Sequence, residues 1–160
     1  MIKTCIIGAS GYAGAELSAL VHRHSQFELA ALYVSTNSAD AGKSLGTIHP
    51  QFFNTIDLPL LPIDEDNLSA LSESFDLIFL ATPHEASHKW MNELCGKKAV
   101  IMDLSGAFRI KDKHKFAEYY GFEHHADKLL ADAVYGLADW HQEQISNANL
   151  VAVPGCYPTA

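Results

Sequence analysis

The sequence predicts a doubly wound α/β fold built on a mostly parallel sheet. Three observations predict it. Short, nearly continuous apolar runs such as residues 2–7 read as strands buried on both faces. Helical stretches alternate with these runs along the chain. A glycine-rich turn joins the first run to the first helix. The chain has 160 residues, about one domain's worth, and 48% hydrophobic and 19% charged residues make it an ordinary globular composition. Those proportions exclude intrinsic disorder, collagen and a disulfide scaffold.

The elements follow in order. A strand at residues 2–7 leads through the glycine turn to a helix over about 12–24. Residues 27–34 form the second strand, and 35–55 are irregular, with Gly42, Gly46 and Pro50. Residues 58–63 can only be an edge strand, because Pro59 and Pro62 cannot donate to a central ladder. A helix over 64–72 opens with acidic residues, which its dipole favours. Residues 75–81 are a buried strand. Pro83 suits the first position of the next helix, which ends near Cys95 with Gly96 as its cap. A strand at 99–104 follows. Residues 105–148 are mixed, with a helix over about 137–147, and 150–153 form the last strand. In such sheets ligands sit beyond the C-terminal ends of the strands.

Charge and composition narrow the function. Eleven basic against nineteen acidic residues give a net charge of −8, the wrong sign for a nucleic-acid partner. No apolar run is long enough for a membrane span, and the N-terminus lacks a signal peptide's layout. Three cysteines, Cys5, Cys95 and Cys156, have no close pairing, which points to the reducing cytoplasm. The chain stops at Ala160, where a strand has ended and a helix should begin. The expectation is a piece of a longer protein.

The turn reads Gly8-Ala9-Ser10-Gly11-Tyr12-Ala13-Gly14, a G-x-x-G-x-x-G spacing one residue longer than the usual dinucleotide fingerprint. Glycines let the chain turn tightly and let a pyrophosphate approach the main chain, and the helix N-terminus adds free N–H donors. Gly8, Ser10, Gly11, Tyr12, Ala13 and Gly14 are therefore the candidate cofactor-binding residues. The alternative is a turn used only for close helix–sheet packing. NAD-binding proteins usually place a carboxylate at the end of the second strand. Here the segment is Tyr33-Val34-Ser35-Thr36-Asn37, so no carboxylate repels a 2′-phosphate, and the hydroxyls of Ser35 and Thr36 can hold one. This favours NADP(H). Arg23 and Lys43 read as plain surface charges.

The segment Val153-Pro154-Gly155-Cys156-Tyr157-Pro158-Thr159 carries the second signal. Pro158 suits the first turn of a helix, which puts Cys156 beside a helix N-terminus at the ligand side of the sheet. A hydride-carrying nucleotide beside a nucleophilic thiol points to one reaction class, in which the thiolate forms a thioester that hydride reduces to an aldehyde. The plainer alternative for Cys156 is a small packing residue. Cys5, inside a strand, and Cys95, at a helix end, read as structural.

Together with Asp103-Leu104-Ser105-Gly106-Ala107-Phe108-Arg109 and Tyr135-Gly136-Leu137, these two motifs resemble the N-acetyl-gamma-glutamyl-phosphate reductases of arginine biosynthesis. The four motifs keep the family's order and span nearly the whole chain. The related aspartate-semialdehyde dehydrogenases share the glycine turn and the thiol chemistry, but typically carry Asn before the cysteine, where this chain has Gly155. The resemblance implies a Rossmann-type NAD(P)-binding domain cut before a second domain. It implies NADPH-dependent reduction of an acyl phosphate, Cys156 as nucleophile, and a homo-oligomer at full length. Family members are about twice this long, and their second half carries a catalytic histidine, most of the substrate pocket and the main subunit interface. The chain alone is therefore expected to be inactive and to associate through exposed apolar surface. Arg109 is the candidate contact for substrate phosphate, because a guanidinium fork suits it. A plain surface arginine is the alternative.

The histidines invite a metal reading. His84-Glu85-Ala86-Ser87-His88 matches the zinc-protease helix motif H-E-x-x-H. Its position behind a buried strand, with no third ligand at a metalloprotease spacing, weighs against zinc, so no metal is assigned. Thr82-Pro83-His84 instead falls at the end of a central strand, where a nicotinamide would rest, which adds Pro83 and His84 to the cofactor candidates. His124 and His125 read as a solvated pair, and the remaining histidines carry no signal. The aromatics Phe116, Tyr119, Tyr120 and Phe122 read as packing. Two other readings stay open. One is a sister reductase acting on aspartyl phosphate or on a carrier-linked aminoadipate phosphate. The other is a non-catalytic nucleotide-binding or regulatory module.

Overall fold

The computed structural model describes residues 1–160. Its strands are β1 (Ile2–Ile7), β2 (Phe27–Val34), β3 (Leu60–Pro62), β4 (Leu77–Leu80), β5 (Val100–Asp103), β6 (Val134–Tyr135) and β7 (Leu150–Ala152). They form one sheet in the order β3-β2-β1-β4-β5-β7-β6, and every pairing is parallel. The doubly wound expectation holds. From β1 the chain winds outward to β3, returns to β4 beside β1, and winds the other way. That reversal opens a crevice beyond the C-terminal ends of β1 and β4.

Alternation along the strands builds a core on each face. Ile6, Leu32, Val34 and Leu60 pack with Ala15 and Ala19 on one side. Cys5, Ile7, Ile78, Leu80 and Ile101 pack with Trp90, Met91 and Leu94 on the other. The first face is covered by α1 (Tyr12–Arg23), the second by α3 (Leu68–Ser74) and α4 (His84–Leu94). No helix is long and apolar enough to cross a membrane.

Several elements differ from expectation. The edge strand keeps only Leu60–Pro62. Its outer side is bonded to a neighbouring loop, with Gly42 N donating to Leu60 O at 2.8 Å and Leu60 N to Lys43 O at 2.9 Å. The irregular stretch contains α2 (Leu45–Ile48) and a 3₁₀ turn, Pro50–Phe52. The acidic helix start is a separate 3₁₀ turn, Glu65–Asn67, capped by the Asp64 carboxylate. Pro83 is the cap before α4, one place earlier than expected.

The mixed stretch contains α5 (Lys113–Tyr120), α6 (Asp127–Asp132) and α7 (Ala138–Ser146). The Asp112 carboxylate caps α5 by accepting from His114 N and Lys115 N, and Gly121, at φ +79°, ends it. Lys111 Nζ donates to the carbonyls of Leu130, Ala131 and Ala133, closing the end of α6. After β7 a four-residue helix, α8 (Cys156–Thr159), has Gly155 as its cap and Pro158 in its first turn. Tyr119, Trp140 and Tyr157 stand exposed on this half of the molecule.

Candidate active site

Gly8 follows β1 at φ +89°, a conformation that favours glycine, and a Cβ there would strike the Ala81 carbonyl at the end of β4. A Cβ on Gly14 would strike the Gly8 carbonyl. These two glycines let α1 start hard against the strand ends. Gly11 is different. A Cβ there would find only the Gly8 carbonyl, at 3.6 Å, and Gly11, Tyr12 and Ala13 are all exposed. The open side of the turn is thus the N-terminal end of a twelve-residue helix, whose first amides have no side-chain cap. Free amides with the helix dipole behind them form a cradle that fits a pyrophosphate.

His49 supports this turn from below, and nothing in the sequence marked it. Its ring is buried, Nε2 donates to the Ser10 carbonyl at 2.8 Å, and Tyr12 meets it edge-on at 6.0 Å. At the end of β2, Ser35 is exposed with no carboxylate beside it. Thr36 Oγ1 donates to the Ile63 carbonyl at 2.8 Å, so its hydrogen is already committed to the edge of the sheet. Lys43 pairs with Asp40 at 3.0 Å, and Arg23 Nε donates to the Ala19 carbonyl.

The turn after β5 is held almost entirely from within. Asp103 is fully buried and accepts from Ser105 N at 2.9 Å and Ser105 Oγ at 2.8 Å. Burial pushes its carboxyl up from the usual range, while hydrogen bonds from Ser105 and Ser87 and the charge of Arg109 pull it back. Ser105 Oγ accepts from Ala107 N, His84 Nδ1 accepts from Gly106 N at 2.7 Å, and Gly106 O accepts from Arg109 N. These amides are engaged inside the protein, so an anion arriving here meets the Arg109 side chain.

Arg109 is half-buried and bridges two strand ends. Nε donates to Val153 O at 2.7 Å and Nη2 to Leu104 O at 2.6 Å. Nη1 faces the cysteine turn, 3.4 Å from where a Cβ on Gly155 would lie. Arg109, Ile110, Tyr120, Tyr135, Gly155 and Pro158 line a cleft of about 500 Å³. Cys156, the first residue of α8, is exposed beside it. Burial pushes the thiols of Cys5 and Cys95 up, which keeps them protonated and unreactive. Thus Gly8–Gly14, Pro83–His84, Arg109 and Cys156 all lie beyond the C-terminal ends of β1, β4, β5 and β7, on one edge of the sheet, with Ser35 and Thr36 farther along it after β2.

The histidines sort differently from expectation. His124 is not solvated. It is 2% exposed, with its ring against His88, Phe108 and Phe116 and Nε2 lacking a partner. Burial, then the nearby His88, lowers its pKa to about 4. Its ring packs against rings from three segments, His88 on α4, Phe108 after β5 and Phe116 on α5. His125 is exposed as expected, and its amide donates to His88 Nε2 at 3.1 Å. In the H-E-x-x-H segment, His84 and His88 therefore each hold a backbone amide through one ring nitrogen.

Comparison with known proteins agrees with this geometry. The chain is 61% identical over its whole length to the N-acetyl-gamma-glutamyl-phosphate reductase of Pseudoalteromonas atlantica, and covers 47% of it. It is 50% identical to the enzyme of the same name from Aeromonas salmonicida, and covers 48% of that. The chain thus spans about half the length of the curated relatives it matches. Aspartate semialdehyde dehydrogenase II from Vibrio cholerae, solved with ASA, shares the fold at a TM-score of 0.68 and 20% identity, covering 99% of this chain and 43% of that one. The aspartate semialdehyde dehydrogenase of Candida albicans, solved with NADP, superposes at a TM-score of 0.59 with 13% identity, covering 96% of this chain and 42% of that one. The family model described as semialdehyde dehydrogenase, NAD binding domain, matches residues 3–148, and the chain, with its glycine cradle at the strand reversal, belongs to that family.

Proposed function

We propose that this domain serves the NADPH-dependent reduction of N-acetyl-L-glutamyl 5-phosphate to N-acetyl-L-glutamate 5-semialdehyde, with release of phosphate. The observation that carries the reading is the convergence of the Gly8–Gly14 cradle, Arg109 and Cys156 at one end of the parallel sheet. The name shared by relatives 50% to 61% identical to the chain supports the choice of substrate. The absence of a carboxylate after β2, and the NADP held by the Candida albicans neighbour, support NADP(H) over NAD(H).

In this reading the amides at the start of α1 hold the pyrophosphate, and Gly11 leaves room for it. Ser35 contacts the 2′-phosphate. Pro83 and His84 border the nicotinamide end of the crevice. Cys156 Sγ attacks the acyl carbon, and the carbon–oxygen bond to phosphate breaks. Arg109 Nη1 steadies the departing phosphate. The bound nucleotide supplies hydride to the resulting thioester. Collapse of the hemithioacetal frees the aldehyde and returns the electron pair to Cys156 Sγ. Residues beyond 160 complete the substrate pocket and the contact between subunits, and the enzyme works as a homo-oligomer in the cytoplasm.

The test uses the full-length protein in the reverse direction, following phosphate-dependent NADP⁺ reduction. Turnover with N-acetylglutamate semialdehyde but not aspartate semialdehyde is the expected result. Turnover only with aspartate semialdehyde keeps the chemistry and overturns the substrate. Turnover with neither overturns the reading.

A further inference from the structure

We infer that His84 is a positioning residue, whose Nδ1 holds the Gly106 amide and through it aims Arg109 at the cysteine cleft. This role presupposes that the cleft takes a phosphate group, as proposed above.

The hydrogen bond runs between the ends of neighbouring strands. His84 opens α4, four residues beyond the end of β4 at Leu80, and Gly106 follows β5. With Gly106 N as the donor at 2.7 Å, Nδ1 carries a lone pair and the ring proton of the neutral imidazole is on Nε2. Gly106 is buried, and a Cβ on it would run into the Tyr120 ring. Tyr120 in turn meets the His84 ring edge-on at 4.7 Å. Ring and backbone therefore shield this amide, and His84 Nδ1 is the acceptor that satisfies it.

Three other amides of the turn answer to its own residues. Ser105 N is held by Asp103, Ala107 N by Ser105 Oγ, and Arg109 N by Gly106 O. His84 ties Gly106 to the β4 side of the crevice, as Ser87 ties Asp103 at the start of the turn. Because Arg109 N is bonded to Gly106 O, Gly106 is the base on which Arg109 stands. A shift of Gly106 moves the guanidinium relative to Val153 O and Leu104 O, and so relative to Cys156. The lone pair that a cofactor contact through Nδ1 would need is already in use.

The experiment uses the full-length enzyme with NADP⁺, inorganic phosphate and N-acetylglutamate semialdehyde. His84→Ala should raise the phosphate KM about tenfold, the size of one well-placed hydrogen bond. The NADP⁺ dissociation constant, read by fluorescence titration, should rise by no more than about twofold, less than the phosphate KM, because His84 borders the nicotinamide end while its Nδ1 is engaged with Gly106. His84→Asn should recover most of the loss, because Asn Oδ1 occupies the place of Nδ1 and accepts the same bond. Hydrogen exchange of the segment around Gly106 should quicken in the alanine variant and slow again in the asparagine variant. An alanine variant that weakens NADP⁺ with phosphate KM unchanged overturns the inference, and so does an asparagine variant no better than alanine. A wild type inactive on these substrates overturns the proposed function, while the exchange comparison still decides whether His84 holds Gly106.

Discussion

Arg109 Nε donates to the carbonyl of Val153 at 2.7 Å, joining the turn after β5 to the end of β7. The same guanidinium reaches Leu104 O through Nη2 and leaves Nη1 toward Gly155. One side chain thus spaces the cysteine turn from its neighbour and presents charge between them. A lysine carries the charge but has no planar fork to do both. Arg109→Lys should raise the phosphate KM of the full-length enzyme about tenfold and lower stability by about 1 kcal/mol, the net worth of a hydrogen bond or two. Steady-state kinetics and a denaturant titration check both.

The nucleophile has a sharper signature. Cys156→Ser changes one exposed atom and no described hydrogen bond. Turnover should fall by about 10³-fold or more, as loss of a covalent nucleophile does elsewhere. NADP⁺ affinity and unfolding midpoint should stay at wild-type values. A serine variant with wild-type turnover would remove Cys156 from the mechanism.

Two glycines of the same turn should respond oppositely. A Cβ at Gly8 meets both a positive φ and the Ala81 carbonyl, so Gly8→Ala should destabilise the domain by about 2 kcal/mol or more. A Cβ at Gly11 meets only the Gly8 carbonyl, at an ordinary contact distance of 3.6 Å, so Gly11→Ala should leave the unfolding midpoint unchanged. The added methyl would stand where the pyrophosphate approaches and should weaken NADP⁺ binding. Thermal unfolding and a cofactor titration on both variants separate architecture from recognition.

His124 predicts a pH dependence. Its pKa falls from 6.5 to about 4 on folding, chiefly through burial, with His88 adding to the effect and Asp127 opposing it. Below 6.5 the unfolded chain therefore binds a proton that the folded one refuses. The contribution is fully present above pH 6.5 and is lost as pH falls toward 4, at most about 3 kcal/mol. His124→Asn keeps an acceptor for the Ala126 amide and removes the titration, so its stability should fall less steeply across that window. Denaturant midpoints at pH 7 and pH 5 make the comparison.

The readable parts of the sequence were those whose local pattern and tertiary role coincide. Residues 2–34 form a strand, glycine turn, helix and strand because continuous apolar runs, turn glycines and an amphipathic helix all argue for the same thing. The place of Cys156, at the start of a helix just past the last strand, was legible because Pro158 suits a first helical turn and the apolar run ends at Val153. The helices α5 and α6 were not, because each is short and buries one residue, Phe116 and Leu130, too little for a periodic signal. His49, His84 and His124 show another limit. Each is defined by a partner 20 or more residues away or by rings gathered from several segments, and only the assembled sheet brings these together.

The loop bonded along the outer side of β3 has a consequence for assembly. Gly42 and Lys43 occupy the amide and carbonyl of Leu60, and Pro62, two residues on, has no amide to offer. At the opposite margin β6 is only two residues long. An incoming strand therefore finds no ladder to extend at either margin. Within residues 1–160 the sheet is finite by its own construction, and neither of its margins offers a long free strand for a second sheet to extend.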